Sequence, residues 1–348
     1  MSFFSWLRKW PAQRVPKHRL NRLAARFQPH LEVLEGRCLP SKLATLTVTN
    51  TADSGPGSLR GEIALASTRK YASDQVTIVF AKGLAGQTIT LTSGELDIIR
   101  SLTIQGPGAG QLTISGGRYA YYSSYHSRVF EVAANTTVSL SGLTISNGGG
   151  YNGTNVVRGG LGGGILNQGT LTLTACTVAN NSANFAGGGI YNLGTLTVSG
   201  CTVSGNSAYD PDGNFGGQGG GIFNVTGATL KVMNSTLSDN TTGYFYSASG
   251  GQGGGIYNAG MLIVSGSTLD SSNASHSMGQ SAFEGGGIYN AGGGTATVSN
   301  STLSGNVAQS GGGIYNAGAL TLTGSLLSGN SPDNLFGPYT DGGGNYLS

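Results

Sequence analysis

The phrase Gly-Gly-Gly-Ile occurs six times in this 348-residue chain, ending at Ile165, Ile190, Ile222, Ile256, Ile288 and Ile314. An asparagine stands two positions after each isoleucine, at Asn167, Asn192, Asn224, Asn258, Asn290 and Asn316. The numbers of successive isoleucines differ by 25, 32, 34, 32 and 26. A period of that size marks one supersecondary unit stacked many times, because a single unit cannot bury its own apolar face. Function is then a property of the surface of a stack.

Within a unit, short apolar runs alternate with Thr and Ser. Thr295-Ala296-Thr297-Val298-Ser299 is followed by Ser301-Thr302-Leu303-Ser304-Gly305-Asn306, and the unit before Asn206 reads the same way. That alternation is the period of a strand with one buried face. Gly and Asn, which tolerate positive φ, punctuate the runs and mark corners. No window from 87 to 348 carries a sustained helical period. Three short strands per turn, each pairing with its equivalent about 4.8 Å above and below, describe an all-β chain wound as a single-stranded parallel β-helix. An outer face left to Thr, Ser and Tyr accounts for a charged content of only 9%.

Val178, Val203, Leu237, Leu269, Leu303 and Leu327 form an inner apolar column, and Asn181, Asn206, Asn240, Ser272, Asn306 and Asn330 follow three positions on. Stacked Asn side chains can hydrogen-bond along the axis and satisfy corner backbone groups, so both asparagine series read as structural ladders. Two of these asparagines, Asn224 and Asn240, also sit in Asn-X-Ser/Thr, the pattern of a glycan acceptor. Two earlier turns lack the triplet: Ile89–Leu91 through Leu102–Ile104 to Leu112–Ile114, and Val129–Val132 through Val138–Leu140 to Leu143–Ile145. The count is about eight turns over 87–348.

Residues 43–86 read as a cap for the first turn, a strand at Leu46–Thr49 and a short helix capped by Ser58 with Leu59, Ile63 and Ala66 on one side. Gly57-Ser58-Leu59-Arg60-Gly61-Glu62-Ile63 resembles the Cys-Ser-Leu-Arg-Glu-Ala-Ile motif that opens many bacterial surface β-helix proteins, with Gly57 at the Cys position. The glycine-rich repeats are similar to those of polymorphic outer membrane proteins. Leu31 to Ser41 resembles a leader-end segment of planctomycete exported proteins. These resemblances imply a right-handed, pectate-lyase-like β-helix, export or surface display, and adhesive roles without shared catalytic residues. Nothing after Asn330 reads as the strands of a membrane barrel. The last residues resemble a partial ninth turn, so the expectation is end-to-end self-association or a shortened family member.

Residues 1–42 hold nine Lys and Arg against two Glu, a net of +7, and the rest holds nine against thirteen, a net of −4. The overall +3 is therefore a leader effect. Leu20, Leu23, Ala24 and Phe27 share one side of a basic helix. There is no apolar run of the secretory kind and no transmembrane span. The segment reads as a targeting or sorting signal, with a disordered tail and a nucleic-acid arm as the alternatives; no nucleic-acid partner is expected.

Cys176 and Cys201, one turn apart, occupy a column otherwise filled by Ser235, Ser267, Ser301 and Ser325, and read as packed small residues, a disulfide being the alternative. Cys38 has no partner, and three such cysteines make no zinc site. From residue 143 onward Arg158 and Lys231 are the only cations, and the acids Asp210, Asp212, Asp239, Asp270, Glu284, Asp333 and Asp341 fall at unlike positions of the repeat. No catalytic set and no metal or cofactor motif is read.

Leu166, Tyr191, Phe223, Tyr257, Tyr289 and Tyr315 each follow the buried Ile and should form one outward column. Turn length varies at one corner, and its inserts are rich in aromatic residues, with Tyr121, Tyr122, Tyr125, Tyr209, Phe215, Tyr244, Phe245 and Tyr246 as candidate binding residues. The expected function is a non-catalytic, exported or cell-surface protein that binds glycan or protein at this corner. The alternative is a polysaccharide lyase or glycoside hydrolase with an unrecognised site.

Overall fold

A computed structural model describes residues 42–117, 127–150, 160–209, 217–243, 250–274 and 283–348. They fall in one compact unit, Ser41–Ser348. The first elements are β1 (Leu43–Val48), α1 (Leu59–Ala66), β2 (Gln75–Phe80), β3 (Gln87–Thr90) and β4 (Leu96–Ile98). From β2 on, the chain visits three long sheets in rotation, and every pairing is parallel and made with the strand one coil away. Sheet A has 11 strands beginning β1, β2; sheet B has 10 beginning with β3; sheet C has 9 beginning with β4. This is a parallel β-helix.

Nine coils are complete among the described residues, from β2–β3–β4 to Ala319–Thr323, Leu326–Ser328 and Leu335–Phe336. Thr340–Asp341 and Tyr346–Leu347 begin a tenth. The repeats suggest about eight because β2, read as part of the cap, is already the first coil's strand of sheet A. Ile89 and Ile114 are register partners, so the segments from Ile89 to Ile114 span more than one turn and enclose β4.

The register is set by the triplet repeat. Ile190 pairs with Ile222, Ile222 with Ile256 and Ile256 with Ile288, although the loops between them differ in length. Glycine is required in the triplet by close approach of the next coil. In Gly219-Gly220-Gly221 the first has φ +62°; a Cβ on the second would collide with the Thr241 carbonyl; one on the third would stand 2.6 Å from the Gly255 carbonyl oxygen. Inside the coils the apolar columns, among them Val178, Val203, Leu237, Leu269, Leu303 and Leu327, are fully buried in one continuous core.

The corners are polar but satisfied. Asn167 Nδ2 donates to Asn192 Oδ1 at 2.7 Å, and the same bond repeats up the file to Asn316 at 2.7–2.8 Å. A second file runs Asn181, Asn206, Asn240, with each Nδ2 on the next Oδ1 at 3.0 Å. A buried amide that both donates and accepts along the axis leaves no orphaned group, which is why Asn rather than an apolar residue recurs. Cys176 and Cys201 are free thiols in the serine column; the Cys176 N–H donates to Cys201 Sγ at 3.3 Å, as the Cys201 N–H does to Ser235 Oγ at 3.1 Å. Hydrogen bonding from Cys201 and burial both raise the Cys176 thiol above its usual range.

At the first coil, Ser58 caps α1 by accepting from the Gly61 N–H at 3.0 Å, and Leu59, Ile63 and Ala66 are buried. Arg60 donates to Asp53 Oδ1 at 2.9 Å and to the carbonyls of Gly94 and Glu95 at 2.6 Å. Arg100 likewise donates to the carbonyls of Ala66, Tyr71 and Asp74. The Ser-Leu-Arg run is thus the cap itself: one residue starts the helix, one fills its underside, one ties it to the coil.

Candidate functional site

Residues one past the buried position of sheet C point outward and lie in strict register. Read along the axis, the column is Asp97, Glu131, Leu166, Tyr191, Phe223, Tyr257, Tyr289, Tyr315 and Phe336. Its first two members are acidic and its last six aromatic. The rings stack face to face at nearly one strand spacing, with centroids 5.0, 4.5, 5.1, 5.2 and 5.0 Å apart from Tyr191 to Phe336. Their faces are consumed by one another, so the surface they offer is ring edges and hydroxyls. Phe336, half exposed at 47%, ends the column.

A polar strip borders the rings. Gln218, Gln252 and Glu284 occupy the position before each glycine triplet and bridge coil to coil. Gln218 Nε2 donates to Gln252 Oε1 at 3.0 Å, and Gln252 Nε2 to Glu284 Oε2 at 2.9 Å. Gln252 and Glu284 lie close enough to the Tyr289 phenol, and Glu284 to that of Tyr315, to bear on their proton affinity. Burial, with the Glu284 carboxylate next, pushes Tyr289 up to about 12, and burial raises Tyr191, Tyr257 and Tyr315 as well. The strip therefore presents neutral hydroxyls and amides through the physiological range, with one carboxylate at its end.

The acidic end of the column is a different environment. Glu95, Asp97 and Glu131 bring carboxylate oxygens within 4.8 Å of one another. Arg128, its side chain 3% exposed, pairs with Glu95 Oε2 at 3.1 Å and Glu131 Oε2 at 2.9 Å. Gln168 Nε2 donates to Glu131 Oε1 at 2.6 Å. Burial pushes Glu95 up to about 7 against the pull of Arg128, and Glu131 and Asp97 add to the rise. Desolvation followed by Glu131 raises Asp97 too. Beside this cluster a groove of about 390 Å³ runs between α1 and sheet C, lined by Arg60, Ile63, Ser67, Glu95, Asp97 and Ile99. These carboxylates are the one group close enough, among the described residues, to share a cation, and the Arg128 guanidinium already lies between two of them.

Of the aromatic corner expected from the sequence, Tyr121, Tyr122, Tyr125, Phe215, Tyr244, Phe245 and Tyr246 lie outside the described residues, as do Asp210 and Asp212. Tyr209 is described: it is half-buried, and its N–H donates to the Ala183 carbonyl at 3.0 Å. The segments 118–126, 151–159, 210–216, 244–249 and 275–282 all fall in the chain between a sheet B strand and the sheet C strand of the same coil. Sequence reasoning missed the acidic cluster because acids were compared only from residue 143 onward. The signal was present: Leu96-Asp97-Ile98 and Phe130-Glu131-Val132 place an acid where later coils read Ile-Tyr-Asn.

No protein-family model matches this chain, and no curated protein does. Among the described residues no helix is long and apolar enough to cross a membrane.

Proposed function

We propose that this chain is a non-catalytic, exported or surface-displayed binding protein whose ligand is an extended, polyhydroxylated polymer, a glycan in the first instance. The single observation that carries this reading is the outer face of sheet C, where aromatic ring edges recur on six consecutive coils, four of them tyrosines, beside a Gln218–Gln252–Glu284 strip on three of those coils. A polymer laid along the axis would meet a ring edge on each of six coils and a polar side chain on the three from Gln218 to Glu284, so weak contacts would sum. The aromatic segments at the B-to-C corner would lie in the chain just ahead of this face, and their Tyr, Ser, Gly and Asn composition suits recognition. The likeness to polymorphic outer membrane protein repeats, and the basic leader, accord with export and adhesion.

The test is retention of the full chain on a panel of immobilised polysaccharides. Gln252→Ala with Glu284→Ala, and separately Tyr244→Ala, Phe245→Ala and Tyr246→Ala together, should each cut retention at least tenfold with melting of the second set unchanged. Retention on no polysaccharide, or full retention by both sets, would reject the reading.

Hydrolysis of a glycan is a second reading, favoured by Glu95. A carboxyl that holds its proton near neutrality beside Asp97, Glu131 and Arg128, on the lining of a groove, has the makings of a general acid. New reducing ends that appear with the wild type and vanish with Glu95→Gln would support it; their absence across the panel would discard it.

A further inference from the structure

Sulfur replaces oxygen on two adjacent coils of a ladder that is otherwise built from hydroxyls. At the corner between sheets A and B, one small side chain per coil is buried under the turn: Cys176, Cys201, Ser235, Ser267, Ser301 and Ser325. Each N–H donates to the side chain of the next coil, from Cys176 to Cys201 Sγ at 3.3 Å, from Cys201 to Ser235 Oγ at 3.1 Å, and on through Ser267, Ser301 and Ser325 at 3.2 Å. The ladder needs only an acceptor atom, and serine supplies it on four coils. It does not account for two thiols side by side.

The two cysteines are placed to bond to each other. They directly precede the register partners Thr177 and Thr202, and the Thr202 N–H donates to the Cys176 carbonyl at 2.9 Å. Neighbouring strands stand about 4.8 Å apart. That lies inside the Cα separation of about 4.4–6.8 Å that a disulfide spans. Because Cys201 Sγ accepts the Cys176 N–H, it already lies in the space between the two coils. Cys176 Sγ lies 3.4 Å from the Thr174 carbonyl oxygen and 3.5 Å from that of Leu140. Rotation about its χ1 gives up these weak S–H contacts and turns the sulfur toward Cys201.

Their environments differ. Hydrogen bonding from Cys176 brings the Cys201 thiol down to about 7 against burial, whereas hydrogen bonding to Cys201 and burial raise that of Cys176. The thiolate is the reactive form, so Cys201 is the first to react and Cys176 the one that resolves. Access is narrow. Both thiols are buried, at 1% and 3% exposure, yet Thr174, Ala175 and Gly200 of the corner above them are exposed. A Cβ added at Gly200 would meet nothing within 4 Å. The sulfurs therefore lie one residue beneath an open corner, a depth that suits a reagent little larger than water.

We propose that Cys176 and Cys201 form an oxidation site for a small hydroperoxide, which closes them into a disulfide between neighbouring coils. The Cys201 thiolate attacks one oxygen of hydrogen peroxide; an S–O bond forms, the O–O bond breaks, and the departing hydroxide takes up a proton and leaves as water. The Cys176 sulfur then attacks the Cys201 sulfur; the S–S bond forms, the S–O bond breaks, and the second hydroxide leaves as water with the Cys176 proton. Two thiols give up two electrons and two protons, and one peroxide becomes two waters. The bond staples coils otherwise joined by strand pairing. It also closes the loop between residues 25 positions apart, which restricts the unfolded chain. The site is in the A-to-B corner and is independent of the glycan reading of sheet C.

The test treats the folded full chain, carrying Cys38→Ser so that these two are its only thiols, with hydrogen peroxide and then reads intact mass, non-reducing peptide maps and melting temperature. The protein should lose two hydrogens in mass, yield one cross-linked pair of peptides holding Cys176 and Cys201, and melt at least ~3 °C higher, an effect that dithiothreitol reverses. Oxidised glutathione, too bulky for the corner, should react at least tenfold more slowly. Adding Cys176→Ser, which puts the column's usual residue in place, should abolish the cross-link and leave Cys201 trappable by dimedone as the sulfenic acid. Should that variant fail to fold, the mass and melting shift of the protein that keeps both thiols still decide the matter. Two free thiols after a peroxide dose that oxidises the urea-unfolded chain, a cross-link that leaves melting unchanged, or equal rates with peroxide and oxidised glutathione would each overturn the proposal.

Discussion

Asn258 accepts from Asn224 Nδ2 at 2.8 Å and donates to Asn290 Oδ1 at 2.7 Å, so one fully buried amide completes the hydrogen bonding of two neighbouring coils. Truncating it strands a donor on one side and an acceptor on the other. Asn258→Ala should cost about 2–4 kcal/mol, from two unsatisfied buried groups at roughly 1–3 kcal/mol each with partial relaxation. Chemical denaturation gives the number. A loss well under the ~1 kcal/mol of a single stranded group would show that the ladder is not needed for stability.

The glycine triplets differ from the other glycines of the chain. Gly221→Ala would push a Cβ to 2.6 Å from the Gly255 carbonyl oxygen, whereas at Gly293 an added Cβ meets nothing within 4 Å. Gly221→Ala should destabilise by at least ~2 kcal/mol through overpacking. Gly293→Ala should be neutral or stabilise by up to ~1 kcal/mol by narrowing the unfolded ensemble. Thermal melts of the two variants side by side make the comparison.

Glu95 links stability to pH. Its carboxyl is held at about 7 in the folded chain against 4.5 for the free group, so the folded state binds the proton more tightly than the unfolded state does. The stabilisation is fully present below pH 4.5 and is lost as pH rises through 7. Glu95→Gln should remove that slope and leave the protein more stable at pH 8 by ~1–2 kcal/mol, allowing for screening of a partly exposed carboxylate. Melting temperatures of both proteins from pH 4 to pH 8 test it; parallel profiles would refute the assignment.

Asp53 behaves in the opposite sense. Its burial is outweighed by hydrogen bonds from Ser93, Arg60 and Thr92, which hold it at about 2. That contribution is present above pH 3.8 and is lost as pH falls toward 2. Arg60→Ala should weaken it and free α1 from the Gly94 and Glu95 carbonyls, at ~2–3 kcal/mol. Arg60→Lys should not rescue it, since an ammonium cannot span the same acceptors. Amide exchange should quicken in 59–66 before it does in the later coils.

The ring column contributes through stacking. Tyr257 meets Phe223 at 4.5 Å and Tyr289 at 5.1 Å between centroids. Tyr257→Ala breaks both pairs and should cost ~1–3 kcal/mol. Tyr257→Phe keeps the ring and should melt close to the wild type; equal losses for the two variants would exclude stacking as the cause.

The coil architecture is legible because each level of the sequence repeats the same instruction. Gly219-Gly220-Gly221 marks the close approach, Ile222 the core, Asn224 the corner, and all recur at whole-coil intervals. What escaped was what the repeat does not carry. The first coil has no triplet, so β2 reads as cap, and β4 is too short to announce itself between Ile89 and Leu102. The acidic cluster escaped for a related reason. Glu95 and Asp97 stand a full coil ahead of Glu131, and only their equivalence in the winding, not their distance along the chain, places them together. The Gln218–Gln252–Glu284 strip was hidden by the change from amide to acid at its last member.

The coil from Ile190 to Ile222 is longer than the one from Ile165 to Ile190, yet both keep the same isoleucine pairing, and the added length enters between sheet B and sheet C. The winding thus tolerates foreign peptide at that junction without a shift of register. Short segments could be exchanged there one coil at a time, turning the protein into a ruler on which unrelated epitopes are displayed at fixed intervals.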